Sequence, residues 1–246
     1  KNIVHYILKI ISAIQYSAAH TIGVQTQSNM KYMLVWDKYL NKRVEVLNNW
    51  QTIRKDVGCS INLSSLTLAN KKILAYTGNV GIAQGVDIFI DLAKILRSKT
   101  QVVFLFVGRG SHFEELKKRA KREKLDNVIF FDQVDPREIP GLLAQCFLGL
   151  ISLDDRHKSH NIPGKFVTYL NAGIPVLAKV NLDTDLMKII EKEEIGAAFS
   201  GNDPKILAKF VLKILNNHEL YIKMTQKAKK LGKRMFSVEK AVAQIT

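Results

Sequence analysis

The sequence reads as an α/β protein built on a doubly wound parallel sheet, preceded by a partial α/β domain. Two observations predict this. From Ile73 onward, short continuous apolar runs such as "VVFLFVG", "FLGLISL" and "IPVLAKV" alternate with amphipathic segments of helical period. Apolar runs that lack a polar alternation are strands buried on both faces, as in a parallel sheet covered by helices on each side. Glycine turns also follow two of these runs directly, at the strand ends where open parallel sheets bind their ligands.

Taken in order, the N-terminal part offers a helix in "IVHYILKIISAI", a strand in "TIGVQTQ", a helix in "SNMKYMLVWDKYL" and a strand in "RVEVLNN". That is about two strand units, too few to close a sheet of their own. The polar stretch from Asn49 to Lys72 has no clear period and reads as a linker. "ILAYTG" then reads as a strand, 84–97 as a helix, "VVFLFVG" as a strand, and 111–125 as a helix with Ser111 at its cap and Glu114 three residues on. "VIFF" is a strand, 136–145 a short helix, "FLGLISL" a buried strand, 163–171 a helix, and "IPVLAKV" a strand. A helix over 183–193, a short strand "GAAFS" and further helices complete the chain. The expected division is 1–56 for the partial N-terminal domain and the start of the linker, 57–230 for the complete second domain, and 231–246 for a C-terminal helix crossing back.

The 246 residues are 47% hydrophobic and 24% charged, an ordinary globular composition able to bury a core. The chain opens on Lys1 rather than Met, which reads as a piece of something longer. No stretch approaches the roughly 18 to 20 apolar residues of a spanning helix, and "IVHYILKIISAI" is interrupted by His5 and Lys9. Two cysteines, Cys59 and Cys146, without metal-type spacing, fit a reduced compartment and no disulfide framework. The net charge of +15 concentrates in "KKRAKREK" and "KKLGKR", both on expected helices. The first reading of such runs is a solvated helix face, and the second is attraction to an anionic membrane. Nucleic acid is not expected as a partner, because no recognition motif accompanies the charge.

Three strand-end loops suit an anionic ligand. The turn "GNVGIAQG" brings Gly78, Asn79, Gly81 and Gln84 to the end of one strand, where glycines let phosphate approach backbone N–H groups. It is neither G-x-G-x-x-G nor a Walker loop, so dinucleotide and ATPase readings are weak. A second turn places Arg109 between Gly108 and Gly110, and a third opens a helix with Pro163, Gly164 and Lys165. For Arg109 and Lys165, spacing alone leaves a solvent-exposed role as open as an anion-binding one. His160 lies in the polar loop "DDRHKSH" and reads by itself as solvated; Asp154 and Asp155, two adjacent carboxylates without further ligands, do not make a metal site.

The order "GNVGIAQG", "FLFVGRGSHFEEL", "VIFFDQVDPREIPGLLAQC", "IPGKFVTYLNAGIPV" resembles the donor domain of retaining GT-B glycosyltransferases of family four. Within them it is most similar to the fucosaminyltransferase-like subgroup of bacterial surface-polysaccharide synthesis, whose members show Gly-Asn-x-Gly-x-x-Gln-Gly and a Pro-Ser-Lys helix start. The resemblance runs from Ile73 to about Phe210, and "RVEVLNNWQ" looks like the end of the acceptor-side domain.

The resemblance implies that Gly78 to Gln84 lie under a diphosphate, that Val134 offers its backbone to the base, and that Lys165 faces phosphate. It places His160 and Thr168 where the family usually has paired glutamates, and Asn79 and Gln84 where many relatives have Arg and Lys. The Thr168 departure weighs most, because a glutamate accepts both ribose hydroxyls and a threonine satisfies only one well. The implied activity is sugar transfer, with retention, from a nucleoside-diphosphate sugar, a UDP-sugar favoured, to a lipid-linked or polysaccharide acceptor of capsule or O-antigen synthesis. No cofactor and no metal is implied, and the catalytic residues are not assigned. The expected setting is the inner face of the bacterial cell membrane, with a missing N-terminal domain or partner subunit completing the site, so that the 246 residues alone are inactive. The alternative is a nucleotide-sugar-binding subunit without activity of its own; an epimerase on the same fold has no supporting residues.

Overall fold

The computed structural model describes residues 3–52, 56–66, 68–156 and 161–246, with backbone alone for 34–40, and its strands form two parallel sheets. The smaller is a single βαβ unit. Strand β1 (Thr21–Val24) follows helix α1 (Ile3–Ala18) and pairs through helix α2 (Gln27–Leu40) with β2 (Arg43–Val46), in register from Thr21↔Arg43 to Val24↔Val46. Helix α1 buries none of its residues, and Ile3, Ile7, Ile10 and Ile14 are each more than half exposed. Among the described residues no helix is long and apolar enough to cross a membrane.

The larger sheet holds β3 (Lys72–Asn79), β4 (Val102–Arg109), β5 (Val128–Phe131), β6 (Leu148–Ser152), β7 (Val176–Lys179) and β8 (Gly196–Phe199), all parallel, in the order β5-β4-β3-β6-β7-β8. The helices are α3 (Asp87–Ile95), α4 (Phe113–Arg122), α5 (Ile139–Leu143), α6 (Gly164–Ala172), α7 (Asp185–Glu193), α8 (Pro204–Leu215), α9 (His218–Phe236) and α10 (Val238–Ile245). Strand residues alternate between two cores. Ile73, Ala75, Val103 and Leu105 pack with α5, α6, α7 and α9 on one face; Leu74, Tyr76, Phe104 and Phe106 pack with α3, α4 and α8 on the other. This is why the strands read as unbroken apolar runs: both successive side chains are buried. The expected doubly wound sheet is present.

Some element starts differ from the sequence reading. The helix expected from Gln84 begins at Asp87, because Gly85 takes a left-handed conformation (φ 55°) that ends a 3-10 turn of Ile82–Gln84. Ser111 does not cap the next helix; His112 occupies the cap position and Phe113 opens α4. His112 is held instead by Asp87 at 2.8 Å and Glu115 at 3.3 Å. The short helix is confined to Ile139–Leu143.

The connection between the sheets is partly packed. Ile61 and Leu63 are buried in the first core, and Gln145 clamps them, accepting from Leu63 N (2.9 Å) and donating to the Ile61 carbonyl (3.1 Å). Aperiodic segments give no hydrophobic period, so this anchoring has no sequence signal. At the far end of the chain, Gln244 in α10 donates to the Val46 carbonyl of β2 (2.7 Å). Ser28 at the start of α2 donates through both N and Oγ to Asp185 of α7, at 2.9 and 2.8 Å.

Candidate functional site

The strand order reverses direction between β3 and β6, and the crevice at that reversal is where open α/β sheets hold ligands. The two strands pair only at Leu74↔Leu148 and Ala75↔Gly149 and then part. Tyr169 of α6 fills the gap: its hydroxyl accepts from Thr77 N (3.1 Å) and faces the carbonyls of Ala75 and Leu150, each at 3.2 Å. The ring lies against Gly149, where an added Cβ would stand 2.4 Å from it. Burial pushes the Tyr169 hydroxyl up to about 12, so it stays protonated as a donor.

The glycine turn sits on one lip of the crevice. Gly78 has φ 106°, and Gly108 beside it admits no side chain, since a Cβ there would lie 1.9 Å from the Gly78 carbonyl. Gln84 folds back so that its Oε1 accepts from Gly81 N (2.9 Å) and from Asn79 Nδ2 (3.0 Å). Asn79 and Gln84 therefore brace the turn with their own side chains. Tyr76, fully buried, donates from its hydroxyl to the Asn79 carbonyl at 2.8 Å.

Helix α6 forms the other lip. Pro163, with φ −61° and ψ 137°, stands at its cap position, and Gly164 and Lys165 open it. No side chain caps this end, although Phe166 N turns back to the Pro163 carbonyl (2.9 Å), and the positive end of the helix dipole faces outward toward an anion. Lys165 Nζ is sealed from solvent, has no hydrogen-bond partner among the described residues, and lies 3.4 Å above the centroid of the Tyr76 ring. Burial pulls this ammonium down to about 7, while the ring face returns part of the lost solvation.

Two adjoining cavities run along the strand ends. One, of about 430 Å³, is lined by Gly78, Asn79, Gly108, Arg109 and Val134. The other, of about 410 Å³, is lined by Gln51, Thr168 and Asn171 together with apolar Leu143, and both share Pro136 and Ile139. Thr168 Oγ1 donates to Gln51 Oε1 (2.9 Å), with the Gly164 carbonyl a second acceptor at 3.1 Å. Gly78, Asn79, Arg109 and Val134 thus share one cavity and Thr168 lines its neighbour, whereas Gly81 and Gln84 act in the turn beside them. His160 lies outside the described residues.

The acidic pair after β6 is engaged within the fold. Asp155 accepts from Lys179 Nζ (2.5 Å) and Asn202 (2.6 Å), and Asp154 accepts from Arg156 (2.6 Å), which holds Asp154 down at about 2. Asp154 N also donates to the Ala83 carbonyl (3.0 Å), tying this loop to the glycine turn. Among the described residues no cluster of His, Cys, Asp or Glu could hold a metal. Sequence reasoning missed Gln51, Tyr76, Gly149 and Tyr169. Tyr169 directly follows Thr168 and Tyr76 stands two positions before Gly78, so adjacency was the available signal; Gln51 closes the quoted segment "RVEVLNNWQ" but carried no signal of a role in the cleft.

Known proteins resemble the chain in sequence and in fold. The glycosyl transferases group 1 family matches residues 63–231. The probable glycosyltransferase WbjE of Pseudomonas aeruginosa is 26% identical over 141 residues, covering 57% of this chain and 35% of that protein. The putative colanic acid biosynthesis glycosyl transferase WcaI of Escherichia coli (strain K12) is 26% identical over 196 residues, covering 75% of this chain and 47% of that protein. The chain thus spans less than half of either relative. Among solved structures, Anabaena HepE in complex with UDP and glucose aligns over 97% of this chain and 65% of its own, with a TM-score of 0.76 at 19% identity. The sucrose-phosphate synthase of Thermosynechococcus elongatus aligns over 96% and 59%, with a TM-score of 0.77 at 16% identity. These likenesses identify the fold as that of the GT-B glycosyltransferases. Because the family match takes in more than half the chain, including the whole six-stranded sheet, the chain belongs to the glycosyl transferases group 1 family.

Proposed function

We propose that the chain binds the donor of a bacterial glycosyltransferase, one that moves a sugar, with retention, from a nucleoside-diphosphate sugar to a lipid-linked or polysaccharide acceptor. The observation that carries this is the buried Lys165 ammonium, which has the Tyr76 ring face but no hydrogen-bond partner among the described residues, at a helix start that no side chain caps. A buried cation without a partner is costly unless an anion completes it. The diphosphate lies between the Gly78–Gly81 turn and α6, the base reaches toward Val134, and Arg109 approaches from the end of β4. Backbone N–H groups and these cations then stabilise the departing nucleoside diphosphate as its charge develops. UDP bound to HepE and the polysaccharide setting of WcaI support the reading. The fucosaminyltransferase-like subgroup, capsule or O-antigen synthesis, and a peripheral place at the inner membrane face belong to the same proposal. So does a remaining acceptor-side domain or partner subunit.

One observation favours a second reading, a nucleotide-sugar-binding subunit without catalysis: Thr168, where a carboxylate is expected under the ribose, is occupied with Gln51. Calorimetric titration with UDP, GDP and their sugars, coupled to an assay for release of free sugar, tests the proposal. Weak nucleoside-diphosphate binding without turnover by these 246 residues is expected. Absence of binding rejects the donor site, and robust turnover rejects the need for a further domain.

A further inference from the structure

We propose that Gln51, from the connection between the two sheets, is a specificity-determining residue for the ribose, acting with Thr168 as a neutral pair of acceptors. The inference rests on the nucleoside-diphosphate reading of the cleft. Gln51 belongs to none of the strand-end loops, yet both its backbone and its side chain are anchored. Its backbone N donates to the Phe236 carbonyl at the end of α9 (3.1 Å), and the fully buried Phe236 ring packs edge-on against Phe166 of α6. Its side chain is fixed at both ends, with Nε2 donating to the Gly164 carbonyl (3.1 Å) and Oε1 accepting from Thr168 (2.9 Å).

What remains unused defines the chemistry. An amide oxygen has two lone pairs and a hydroxyl oxygen has two more. With Thr168 donating to Gln51, one lone pair of Oε1 and the lone pairs of Oγ1 have no partner among the described residues. The two oxygens lie 2.9 Å apart, close to the separation of the oxygens in a cis-diol. Each hydroxyl of a ribose can donate to one of them. No charged side chain lines this cavity among the described residues, and Pro136, Ile139 and Leu143 supply an apolar wall for the sugar and base. The diol is thus met by two neutral acceptors from two different parts of the chain.

The test uses the nucleoside diphosphate, UDP or GDP, that the wild-type chain binds more tightly, together with its 2′,3′-dideoxy form. Gln51→Leu keeps the side-chain volume and removes both amide groups; it is expected to weaken the ribose form by about 5- to 20-fold, the worth of about one hydrogen bond plus an unpaired partner, and to leave the dideoxy form unchanged. Gln51→Glu, which still accepts from Thr168, should retain the preference for ribose. An equal loss for both nucleotides, or no loss for the ribose form, overturns the assignment to Gln51 and leaves the donor site standing. Failure of the wild type to bind either nucleotide rejects the donor site, and the role of Gln51 with it.

Discussion

At the residue scale, Thr168 and Lys165 make separable demands. If Thr168 lies under the ribose, Thr168→Glu should tighten nucleoside-diphosphate binding by about tenfold, or roughly 1.4 kcal/mol. Hydrogen bonds to a charged acceptor are worth roughly 1.5–3 kcal/mol each, from which carboxylate desolvation and diphosphate repulsion are subtracted. The gain requires the Gln51 amide to turn its Nε2 toward the new carboxylate, because Oε1 now faces that position. Calorimetry with the dideoxy nucleotide, which should show no gain, is the control, and a gain shared by both forms would remove Thr168 from the ribose. Lys165 sets a pH dependence. Its free ammonium lies at about 7, and a bound diphosphate favours the charged form. The chain therefore takes up a proton on binding above about that pH, and affinity should fall as pH rises beyond it, by at most about tenfold per unit. Lys165→Gln should weaken binding at pH near 7 and flatten this slope; a slope unchanged in the variant would show that another group titrates.

At the scale of elements, the glycine turn is a small braced structure rather than a soft loop. A Cβ on Gly81 would stand 2.9 Å from Gln84 Oε1 and 3.2 Å from Asn79 Nδ2, so Gly81→Val should break the brace as well as obstruct phosphate. Nucleotide binding should be lost for ribose and dideoxy forms alike, while the thermal midpoint drops by only a few degrees, because Gly81 itself belongs to neither core, although its neighbour Val80 is buried in one. Titration beside a melting curve checks this, and retained binding would move the phosphate away from the turn. The same element shows how far sequence carries. The strands were legible because Leu74, Tyr76, Phe104 and Phe106 on one face and Ile73, Ala75, Val103 and Leu105 on the other leave no polar register to misread. The start of α3 was not, since Gln84 was spent on Gly81 through a side-chain contact and Gly85 turned left-handed, a backbone state that glycine permits but does not dictate. The motifs pointed to Gly78 and Asn79, which line a cavity at the strand ends, and to Lys165, whose ammonium is buried; their binding role belongs to the proposal. Gln51 was invisible because its partners, Thr168 and Gly164, lie more than a hundred positions away.

At the scale of the whole molecule, charge is unevenly committed. Arg119 is engaged with Asp87, Asp91 and Glu123, and Arg234 pairs with Glu193, whereas Lys117, Lys118, Lys121 and Arg122 stand exposed along α4. We expect anionic vesicles to retain the chain better than neutral ones, with retention fading as salt shortens the screening length to about 10 Å at 0.1 M. Co-sedimentation with a Lys117→Glu, Lys118→Glu, Lys121→Glu variant tests it, and equal retention on neutral vesicles would return these lysines to a solvated face. The junction between β3 and β6 is a different matter of scale. Strands β3 and β6 share a short ladder of two residue pairs, extended by Phe147 N to the Ile73 carbonyl and by the Tyr169 hydroxyl, so the two helix-covered cores, more than this ladder, hold the strand set β5-β4-β3 to the set β6-β7-β8. In the proposed binding mode, a donor held between Gly78 of β3 and Lys165 of α6 adds a further tie across that short ladder. Amide protons of Thr77 and Leu148 should then exchange more slowly with nucleotide bound, and occupancy of the cleft becomes a mechanical property of the whole sheet.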